Sequence, residues 1–459
     1  MSGFFITNKL CSADTIDHAN YFSKFRGRDD TRKIQVKDTT FVHNNLVTVS
    51  TNPIQPYRDD NIVCVYDGTI YNYSLREVIK LYRELGSAFV RKLDGEFSIA
   101  LADLNKNRII VSTDTFRCKP IFVSIENGYL GVSSLMSCLT RLGFSNLQYI
   151  KPNTTHEFCL LTGKLINNTT VTDFNVTNEY KTDYKDWVSA FERAVLKRVD
   201  TIDTDYGVVA DMSEGYDTGA IIACLRKYNR LHRVIVRSVQ TQRIPSNILL
   251  WRFGVNNETL PHKNNGDAFL PVDIPNKVLV KFNPAESILS ERLFNSRVED
   301  FNYTTYESCN QTILHNVRNQ ASRYCYLQDK KYIIKHNIRV CITGLGGGAV
   351  SMLDVNRLYS KTIVPESYDE TVYVNEMTNM DISEVTGGSL GVELRSPFYD
   401  RDLWQETFFL NKKIYGNENN GYKSPIHHYL ESEGFPFYER DNIGKIIFSK
   451  IGFNNPNVQ

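Results

Sequence analysis

The stretch 207–219, which reads G-V-V-A-D-M-S-E-G-Y-D-T-G, constrains the fold of this chain more than any other. It opens with a β-rich run, passes through Ser213 and Gly215, which favour a turn, and continues into the apolar run Ala220–Leu225. The pattern predicts a strand, a tight turn and a buried helix. Because the first N–H groups of a helix lack partners and carry the positive end of its dipole, we expect this turn to bind an anion, naturally a phosphate. Asp217 is then a candidate metal-binding carboxylate, and an ordinary strand-to-helix turn is the alternative.

Bulk composition narrows the class of protein. A length of 459 residues predicts two domains, because one hydrophobic core rarely serves so long a chain. Its 53 Lys and Arg residues nearly balance 52 Asp and Glu residues, so no overall field would steer nucleic acid. Nine cysteines without a C-x-x-C pair argue against a zinc site or a disulfide framework and favour a reducing compartment. With neither a signal-peptide pattern nor a long apolar run, we expect a cytoplasmic protein without a membrane partner.

Residues 1–165 alternate short β-rich runs with turns and contain one helical pattern, which favours stacked antiparallel sheets. Four motifs here resemble, in the same order, motifs of the glutaminase domain of asparagine synthetases. They are F-R-G-R-D at 25–29, D-G-T-I-Y-N-Y at 67–73, L-D-G-E-F at 93–97 and D-T-F-R-C-K-P-I at 114–121. The resemblance implies an α/β protein of two domains whose N-terminal one, residues 1–165, is an Ntn-hydrolase-like αββα sandwich.

The positions that carry glutamine hydrolysis in that family are changed here. Ser2 stands where the family has its N-terminal nucleophilic Cys, and Asn45 where it has the Arg that binds the glutamine carboxylate. Asp67 replaces the Asn that helps to form the oxyanion hole, and Thr69 replaces the Glu that follows. A carboxylate there would repel the developing negative charge, and the loss of one oxyanion donor alone costs roughly 3 to 4 kcal/mol. We therefore expect no glutaminase activity.

The polar stretch 166–185 is interpreted as a linker, and residues 186–459 as a second domain. The loop 213–218, S-E-G-Y-D-T, resembles S-G-G-x-D-S, the pyrophosphate loop of ATP pyrophosphatases that adenylate carboxylates, asparagine synthetase among them. The resemblance implies a C-terminal parallel-sheet domain of the adenine-nucleotide α-hydrolase-like (PP-loop) type that binds ATP and Mg²⁺. The implied nucleotide-binding residues are Ser213, Gly215, Asp217, Thr218 and Gly344. Asp217 is the implied metal ligand, and Glu214 is a candidate second metal ligand.

Two loops of the second domain resemble the family but have lost carboxylates. The run 344–348, G-L-G-G-G, resembles G-E-G-x-D-E, with Leu345 in place of the Glu that acts on the attacking amine and Gly348 in place of the second magnesium Asp. Near the C-terminus, Asn442 replaces the lysine of R-x-K-x-G that stabilises the transition state. Glu214 stands where the family has Gly, so it either points away from phosphate or supplies the metal ligand that Gly348 lacks.

Other catalytic positions are kept. Gly391–Asp400 matches G-V-E-x-R-x-P-F-x-D throughout, and its Glu393 is either catalytic or the partner of Arg395 in a structural ion pair. Lys423 resembles the family's lysine near the pyrophosphate, although an exposed lysine is the simpler interpretation. The resemblance thus implies Asp217, Lys423 and Glu393 as catalytic residues.

Together these motifs indicate an ATP-dependent ligase that adenylates a carboxylate and transfers it to an amine without using glutamine. β-Lactam synthetases and lasso-peptide cyclases resemble this layout, since their glutaminase domains are inactive and their amine is already present in the substrate. Because both sites carry changes, a non-catalytic nucleotide-binding or scaffold protein is the alternative. The identities of the carboxylate and amine, and whether the chain forms a homodimer, stay open. A third interpretation, nucleic-acid binding, depends on the basic residues Arg323, Lys330, Lys331, Lys335 and Arg339.

Overall fold

The computed structural model describes residues 2–240, 252, 274–281, 286–298, 321–351, 380–381, 383–411, 414 and 423–438. Within these residues the chain forms two six-stranded sheets and one five-stranded sheet. The strands of the first half are β1 Gly3–Thr7, β2 Asp30–Val36, β3 Thr39–Asn45, β4 Tyr57–Asp59, β5 Ile62–Ile70, β6 Gly95–Asp103, β7 Arg108–Thr113, β8 Phe122–Glu126, β9 Tyr129–Ser133, β10 Leu147–Tyr149, β11 Thr154–Cys159 and β12 Leu165–Thr170.

The first half is built from two antiparallel sheets that lie face to face, as the sequence predicts. Their strand orders are β10-β8-β9-β1-β3-β2 and β12-β11-β7-β6-β5-β4. Apolar side chains of both sheets, such as Phe4 and Phe41 from the first and Val63 and Ala100 from the second, form one buried core between them. Because side chains alternate along a strand, the opposite faces of both sheets need their own cover.

Helices supply that cover. The helices of this half are α1 Ala13–Ala19, α2 Ser23–Arg26, α3 Leu75–Leu85 and α4 Met136–Arg141, with a 3-10 turn at Gly86–Lys92. α1 and α4 pack on the outer face of the first sheet, and α3 packs on that of the second. Ser74 and Glu77 form a capping box that starts α3. The layers follow the αββα order.

Strand β12 corrects the predicted linker. The sequence predicts a connection over 166–185, but Leu165–Thr170 pairs with β11 at the edge of the second sheet. Val171, directly after the strand, is buried in the core beneath α3. Since β12 is an exposed edge strand of mostly polar residues, it lacks the apolar alternation by which strands are predicted.

A parallel sheet organises the second half. Its strands are β13 Gly207–Asp211, β14 Ile235–Gln240, β15 Lys277–Lys281, β16 Ile338–Ile342 and β17 Glu393–Arg395, in the order β15-β14-β13-β16-β17. All four pairings are parallel. The helices are α5 Lys185–Asp200, α6 Tyr216–Lys227, Ser287–Asn295, Ala321–Lys335, Gly347–Ser351, Arg401–Phe409 and Ser424–Ser432, with a 3-10 turn at Leu231–Arg233.

Both faces of this sheet are covered, as parallel sheets require. Val208 and Ala210 pack in the core that contains α6, whereas Val209 packs with Ile333 of the helix Ala321–Lys335 on the other face. The R-x-K-x-G motif with Asn442 lies outside the described residues. Among the helices that are described, none has the length and apolar character to cross a membrane.

Candidate functional site

Two turns lie side by side at the carboxyl ends of β13 and β16. Strands are added on one side of β13 towards β15 and on the other side from β16 to β17, so the strand order reverses between β13 and β16. In open parallel sheets, ligands bind outside the carboxyl ends of the strands at such a reversal. The strand, turn and helix that the sequence predicts are confirmed here, since β13 ends at Asp211 and α6 begins at Tyr216 with Gly215 as its N-cap.

Hydrogen bonds within the turn fix its shape. The hydroxyl oxygens of Ser213 and Thr218 are 2.9 Å apart, and the backbone N–H of Ser213 donates to Thr218 Oγ1 at 3.0 Å. The N–H of Gly215 donates to Ser213 Oγ at 3.0 Å. From behind, the Arg252 guanidinium donates to the carbonyl oxygens of Ser213 and Gly215. Hydroxyl and N–H groups are thereby gathered at the start of α6, where an anion is best accommodated.

Asp217 and Lys423 form the charged centre of the site. Lys423 Nζ donates to both carboxylate oxygens of Asp217, at 2.7 and 2.6 Å. Lys423 is the N-cap of the helix Ser424–Ser432 and has left-handed backbone angles, with φ 49° and ψ 42°. This conformation is uncommon for residues other than glycine and is concentrated at functional sites. The lysine is 9% exposed, so it is not the solvated surface lysine of the simpler interpretation.

The glycines after β16 bring the second turn against this centre. A Cβ atom on Gly347 would lie 2.4 Å from Asp217 Cγ, and one on Gly344 would lie 3.0 Å from Thr218 Cγ2. A Cβ atom on Gly348, by contrast, would lie 3.9 Å from Lys423 Nζ, which is ordinary contact. The structure therefore joins Gly344 to the first turn, and the carboxylate that the family has at Gly348 would stand beside Lys423.

Glu214 is not part of the charged centre that Asp217 and Lys423 form. Its side chain is exposed, and it takes part in none of the ion pairs among the described residues. Within those residues, no group of three or more His, Cys, Asp and Glu side chains could hold a metal ion. Asp217 is thus the carboxylate on which a metal at this turn would have to depend.

Glu393 lies apart from Asp217 and Lys423, at the boundary between the two halves. Its Oε1 accepts hydrogen bonds from Arg395 Nε at 2.8 Å and from Thr69 Oγ1 at 2.7 Å, and Arg395 Nη2 also donates to Thr69 Oγ1 at 2.7 Å. Burial by itself would raise the pKa of Glu393, but the positive charges around it, Arg395 first and Lys119 among the others, together outweigh burial and hold this pKa well below its ordinary value. Of the two roles open to Glu393, these contacts match the structural ion pair.

A second buried ion cluster at this boundary involves the helical segment 383–389. Its Glu384 accepts from Lys119 Nζ at 2.5 Å and from Arg26 Nη2 at 3.4 Å, and Lys119 also donates to the carbonyl of Leu394 at 2.7 Å. Arg26, Lys119 and Glu384 are each at most 2% exposed. Burial raises the pKa of Glu384 to about 7, although Lys119 and Arg26 act in the opposite direction.

The same cluster contacts Ser2 and Asp67, two positions that the resemblance assigns to glutamine hydrolysis. Arg26 Nη2 donates to Asp67 Oδ2 at 2.7 Å, and the N–H of Ser2 donates to Asp67 Oδ1 at 2.8 Å. Ser2 is 5% exposed and Asp67 is fully buried. Asn45 is the last residue of β3, and the N–H of the next residue, Leu46, donates to Ser2 Oγ at 3.4 Å. The carboxylate of Asp67 is therefore committed to neighbouring donors, and the region around Ser2 is closed by the protein's own side chains.

Sequence reasoning missed Arg26, Lys119 and Glu384 as one cluster. Arg26 and Lys119 lie within quoted motifs, but Glu384 lies in none, and the charges meet only in three dimensions. Of the basic residues considered for nucleic acid, Lys331 pairs with Glu286, and Arg339 pairs with Asp29 of the first half. These two pairings match solvated or structural roles.

Comparison with known proteins adds to this geometry. Residues 1–164 match the family model of the glutamine amidotransferase domain. A protein of Methanocaldococcus jannaschii named as a glutamine-hydrolysing asparagine synthetase is 28% identical over 142 residues, covering 28% of this chain and 26% of that protein. The glutamine-hydrolysing asparagine synthetase 2 of Bacillus subtilis is 33% identical over 117 residues, covering 21% of this chain and 16% of that protein.

The matches span about a quarter or less of the length of these curated relatives. Among solved structures, the glutamine phosphoribosylpyrophosphate amidotransferase of B. subtilis complexed with ADP and GMP has a TM-score of 0.30 at 11% identity. That match covers 46% of this chain and 60% of the other.

Proposed function

Because this chain is a member of the asparagine synthetase superfamily with an amidotransferase-like first half, we propose that its second half is an ATP-dependent ligase of the PP-loop type. It adenylates a carboxylate and joins the acyl group to an amine without hydrolysing glutamine. The observation that carries the proposal is the pairing of Asp217 with Lys423 at the strand-order reversal, beside a turn of hydroxyl and N–H donors.

The donor set suits a triphosphate. Lys423 supplies a positive charge with three N–H donors, Ser213 and Thr218 supply hydroxyls, and the start of α6 supplies backbone N–H groups. The absence of a Cβ at Gly347 leaves room for Asp217 against the second turn. When bound, ATP supplies the adenylyl group: a carboxylate oxygen bonds to the α-phosphorus as pyrophosphate leaves, and AMP leaves when the amine nitrogen forms the amide bond and loses a proton.

The magnesium part of the proposal depends on Asp217. Mg²⁺ is usually bound through one or two protein carboxylates together with phosphate oxygens and water, so one aspartate is sufficient for a nucleotide-bound ion. It is not sufficient for Mg²⁺ alone. We therefore expect Mg²⁺ to bind with the nucleotide and not before it. Lys423 must then turn from Asp217 towards phosphate.

The first half has a supporting role in this proposal. Asp67 lies where an oxyanion donor would be required and is held by Arg26, so it would oppose the charge that develops during amide hydrolysis. Glutamine should therefore give no glutamate with the purified chain. Release of glutamate that is abolished in Ser2→Ala would overturn this part.

Calorimetry with ATP and MgCl₂ tests the proposal directly. We expect binding to the wild-type chain, and at least tenfold weaker binding for Lys423→Gln, because a hydrogen bond to a charged group contributes about 1.5 to 3 kcal/mol. Lys185→Gln, at a side chain 87% exposed, is the matched control and should bind like wild type. Pyrophosphate release with the correct carboxylate should require Asp217.

The scaffold alternative is favoured by one observation, namely that Lys423 already neutralises Asp217. If that pair is permanent, the turn has no charge available for phosphate. A bound ligand must raise thermal stability by mass action. No heat of binding and no thermal stabilisation with ATP and MgCl₂ would overturn the ligase and favour the scaffold.

A further inference from the structure

A cavity of about 180 Å³ lies on the face of the parallel sheet opposite α6. Its walls come from β13, β14, β16 and β17, from the helix Ala321–Lys335 and from the helical segment 383–389. Thr343 lines the cavity and is followed directly by Gly344, which approaches Thr218 at the start of α6. Since consecutive Cα atoms are about 3.8 Å apart, the cavity adjoins the proposed nucleotide site.

Three ionisable side chains meet at the cavity wall. Arg237 donates to Asp211 Oδ1 through Nε at 3.0 Å and through Nη2 at 2.8 Å, and to Asp329 Oδ1 through Nη1 at 3.1 Å. Among the described residues that line the cavity, Arg237 is the one basic side chain. Two carboxylates therefore share a single guanidinium, and within the described part of the wall one negative charge has no matching cation.

This surplus negative charge contributes to the raised pKa values of two neighbouring groups, Asp329 and Cys341. Burial raises the pKa of Asp329, Arg237 opposes the rise, and the Asp211 carboxylate adds to it. Cys341 Sγ donates towards Asp211 Oδ2 at 3.5 Å, and the pKa of this thiol is raised well above its ordinary value by burial and then by Asp211. A cation that entered the cavity would be attracted to the position where the protein has left negative charge unbalanced.

The other side chains of the wall and the cavity volume indicate which kind of cation would fit. Ile333, Leu390 and Val392 make one part apolar, while Ser383 and Thr386 add hydroxyl oxygens. The volume is below the roughly 300 Å³ at which pockets for drug-sized ligands begin. A primary ammonium group on a short alkyl stem matches all three features, because it brings one positive charge, three N–H donors and an apolar tail.

We propose that this cavity binds the amine that accepts the acyl group. Asp211 and Asp329 hold its ammonium end, and one of these carboxylates takes the proton that the nitrogen must lose before it attacks the acyl group. The assignment as the acceptor rests on the proposed ligase function, but binding of the amine does not require ATP. The substrate class that follows is a primary alkylamine, such as a lysine-like side chain, next to the turn where the carboxylate is activated.

Two variants remove the surplus charge and keep the guanidinium paired. In Asp211→Asn, Arg237 retains Asp329, and in Asp329→Asn it retains Asp211, so neither leaves an isolated buried charge. Asp205→Asn, an exposed aspartate in the same half, is the matched control. The probes are n-butylamine and butyrate at neutral pH, titrated into the full chain by calorimetry or NMR.

We expect saturable binding of butylamine to wild type and to Asp205→Asn. In both cavity variants, the affinity for butylamine should be weaker than that of wild type by a factor of roughly ten or more. Butyrate should bind more weakly than butylamine. Equal amine affinity in wild type and both variants, no amine binding to wild type, or preference for butyrate would each overturn the proposal. Failure of ATP to bind would overturn the proposed ligase function but not the binding of an amine in the cavity, because the amine titration contains no nucleotide.

Discussion

Lys423 holds Asp217 through both carboxylate oxygens, although the two residues are 206 positions apart in the chain. Asp217 lies in the first turn of α6, where the helix dipole favours its negative charge, whereas Lys423 precedes the helix Ser424–Ser432, whose dipole disfavours a cation. The aspartate therefore offsets an unfavourable position for the lysine. In the proposed function, phosphate takes over this task, so nucleotide binding and opening of the pair are coupled.

Replacing Asp217 by Asn should separate nucleotide binding from magnesium. The amide has no charge with which to bind Mg²⁺ or to repel phosphate, and two unit charges about 4 Å apart interact by roughly 4 kcal/mol at an effective dielectric constant of 20. We expect magnesium-free ATP to bind Asp217→Asn at least as tightly as wild type, with no gain on adding MgCl₂. Calorimetry with and without MgCl₂ measures both. Asp205→Asn should keep the wild-type response, and loss of all ATP binding in Asp217→Asn would contradict the assignment.

Replacing Gly348 by Asp should strengthen the response to magnesium. An added Cβ meets nothing closer than Lys423 Nζ at 3.9 Å, so the side chain fits and places a second carboxylate beside Asp217 and Lys423. The new charge also lies at the start of the helix Gly347–Ser351, where it is favoured.

The measurement is the MgCl₂ dependence of ATP affinity. We expect Gly348→Asp to reach half of its full effect at a lower MgCl₂ concentration than wild type. Gly348→Asn has the same size without the charge and should behave like wild type. If the Asp and Asn variants respond alike, the position is not adjacent to the metal.

The local part of the site could be predicted from the sequence. The strand, turn and helix around Gly215 follow from nearest neighbours in the chain, because β-rich, turn and apolar residues succeed one another there. The antiparallel sheets of the first half follow from short runs at regular spacing. Edge strand β12 escapes prediction because its residues are mostly polar and exposed.

Long-range charge pairing could not be predicted in this way. Glu384 meets Lys119 across 265 positions, and Arg237 meets Asp329 across 92, and no periodic pattern encodes such contacts. Glu214 is a candidate metal ligand by its place in the loop sequence, but its side chain is exposed. A sequence signal for the cavity was present, since Asp211 ends β13 and Arg237 lies within the neighbouring parallel strand β14.

Replacing Glu384 by Gln should change how stability depends on pH. Burial raises the pKa of Glu384 from 4.5 to about 7, so the folded state keeps a proton that the unfolded state releases. Through this group, the wild-type free energy of unfolding falls as pH rises from about 4.5 to 7, by up to roughly 3 kcal/mol. Glutamine does not titrate. In urea denaturation, the free energy of unfolding of the variant should therefore rise relative to that of wild type as pH increases from about 4.5 to 7.

A control at an exposed site completes this comparison. Glu84→Gln, on the outer part of α3, should follow the wild-type pH profile. A constant difference between Glu384→Gln and wild type from pH 4.5 to 7 would show that Glu384 ionises as in the unfolded chain. In that case its contacts with Lys119 and Arg26 would offset burial completely.

Replacing His43 by Gln should remove part of the loss of stability in acid. The ring is fully buried, its Nε2 lies 3.2 Å from the carbonyl oxygen of Tyr66, and burial lowers its pKa from 6.5 to about 4. The unfolded chain therefore binds a proton in a pH range where the folded chain does not. The stability that His43 provides is complete above about pH 6.5 and is lost as pH falls through 4, by up to roughly 3 kcal/mol.

The glutamine amide in the His43→Gln variant would be neutral throughout, and its N–H can donate to Tyr66. Urea denaturation at pH 7, 5 and 4 should show a smaller decrease for His43→Gln than for wild type, whereas His18→Gln, at an exposed position of α1, should match wild type. Parallel curves for His43→Gln and wild type would contradict the prediction. Since Glu384 acts in the opposite direction between pH 4.5 and 7, the double variant should show the sum of both changes only if the two groups titrate independently.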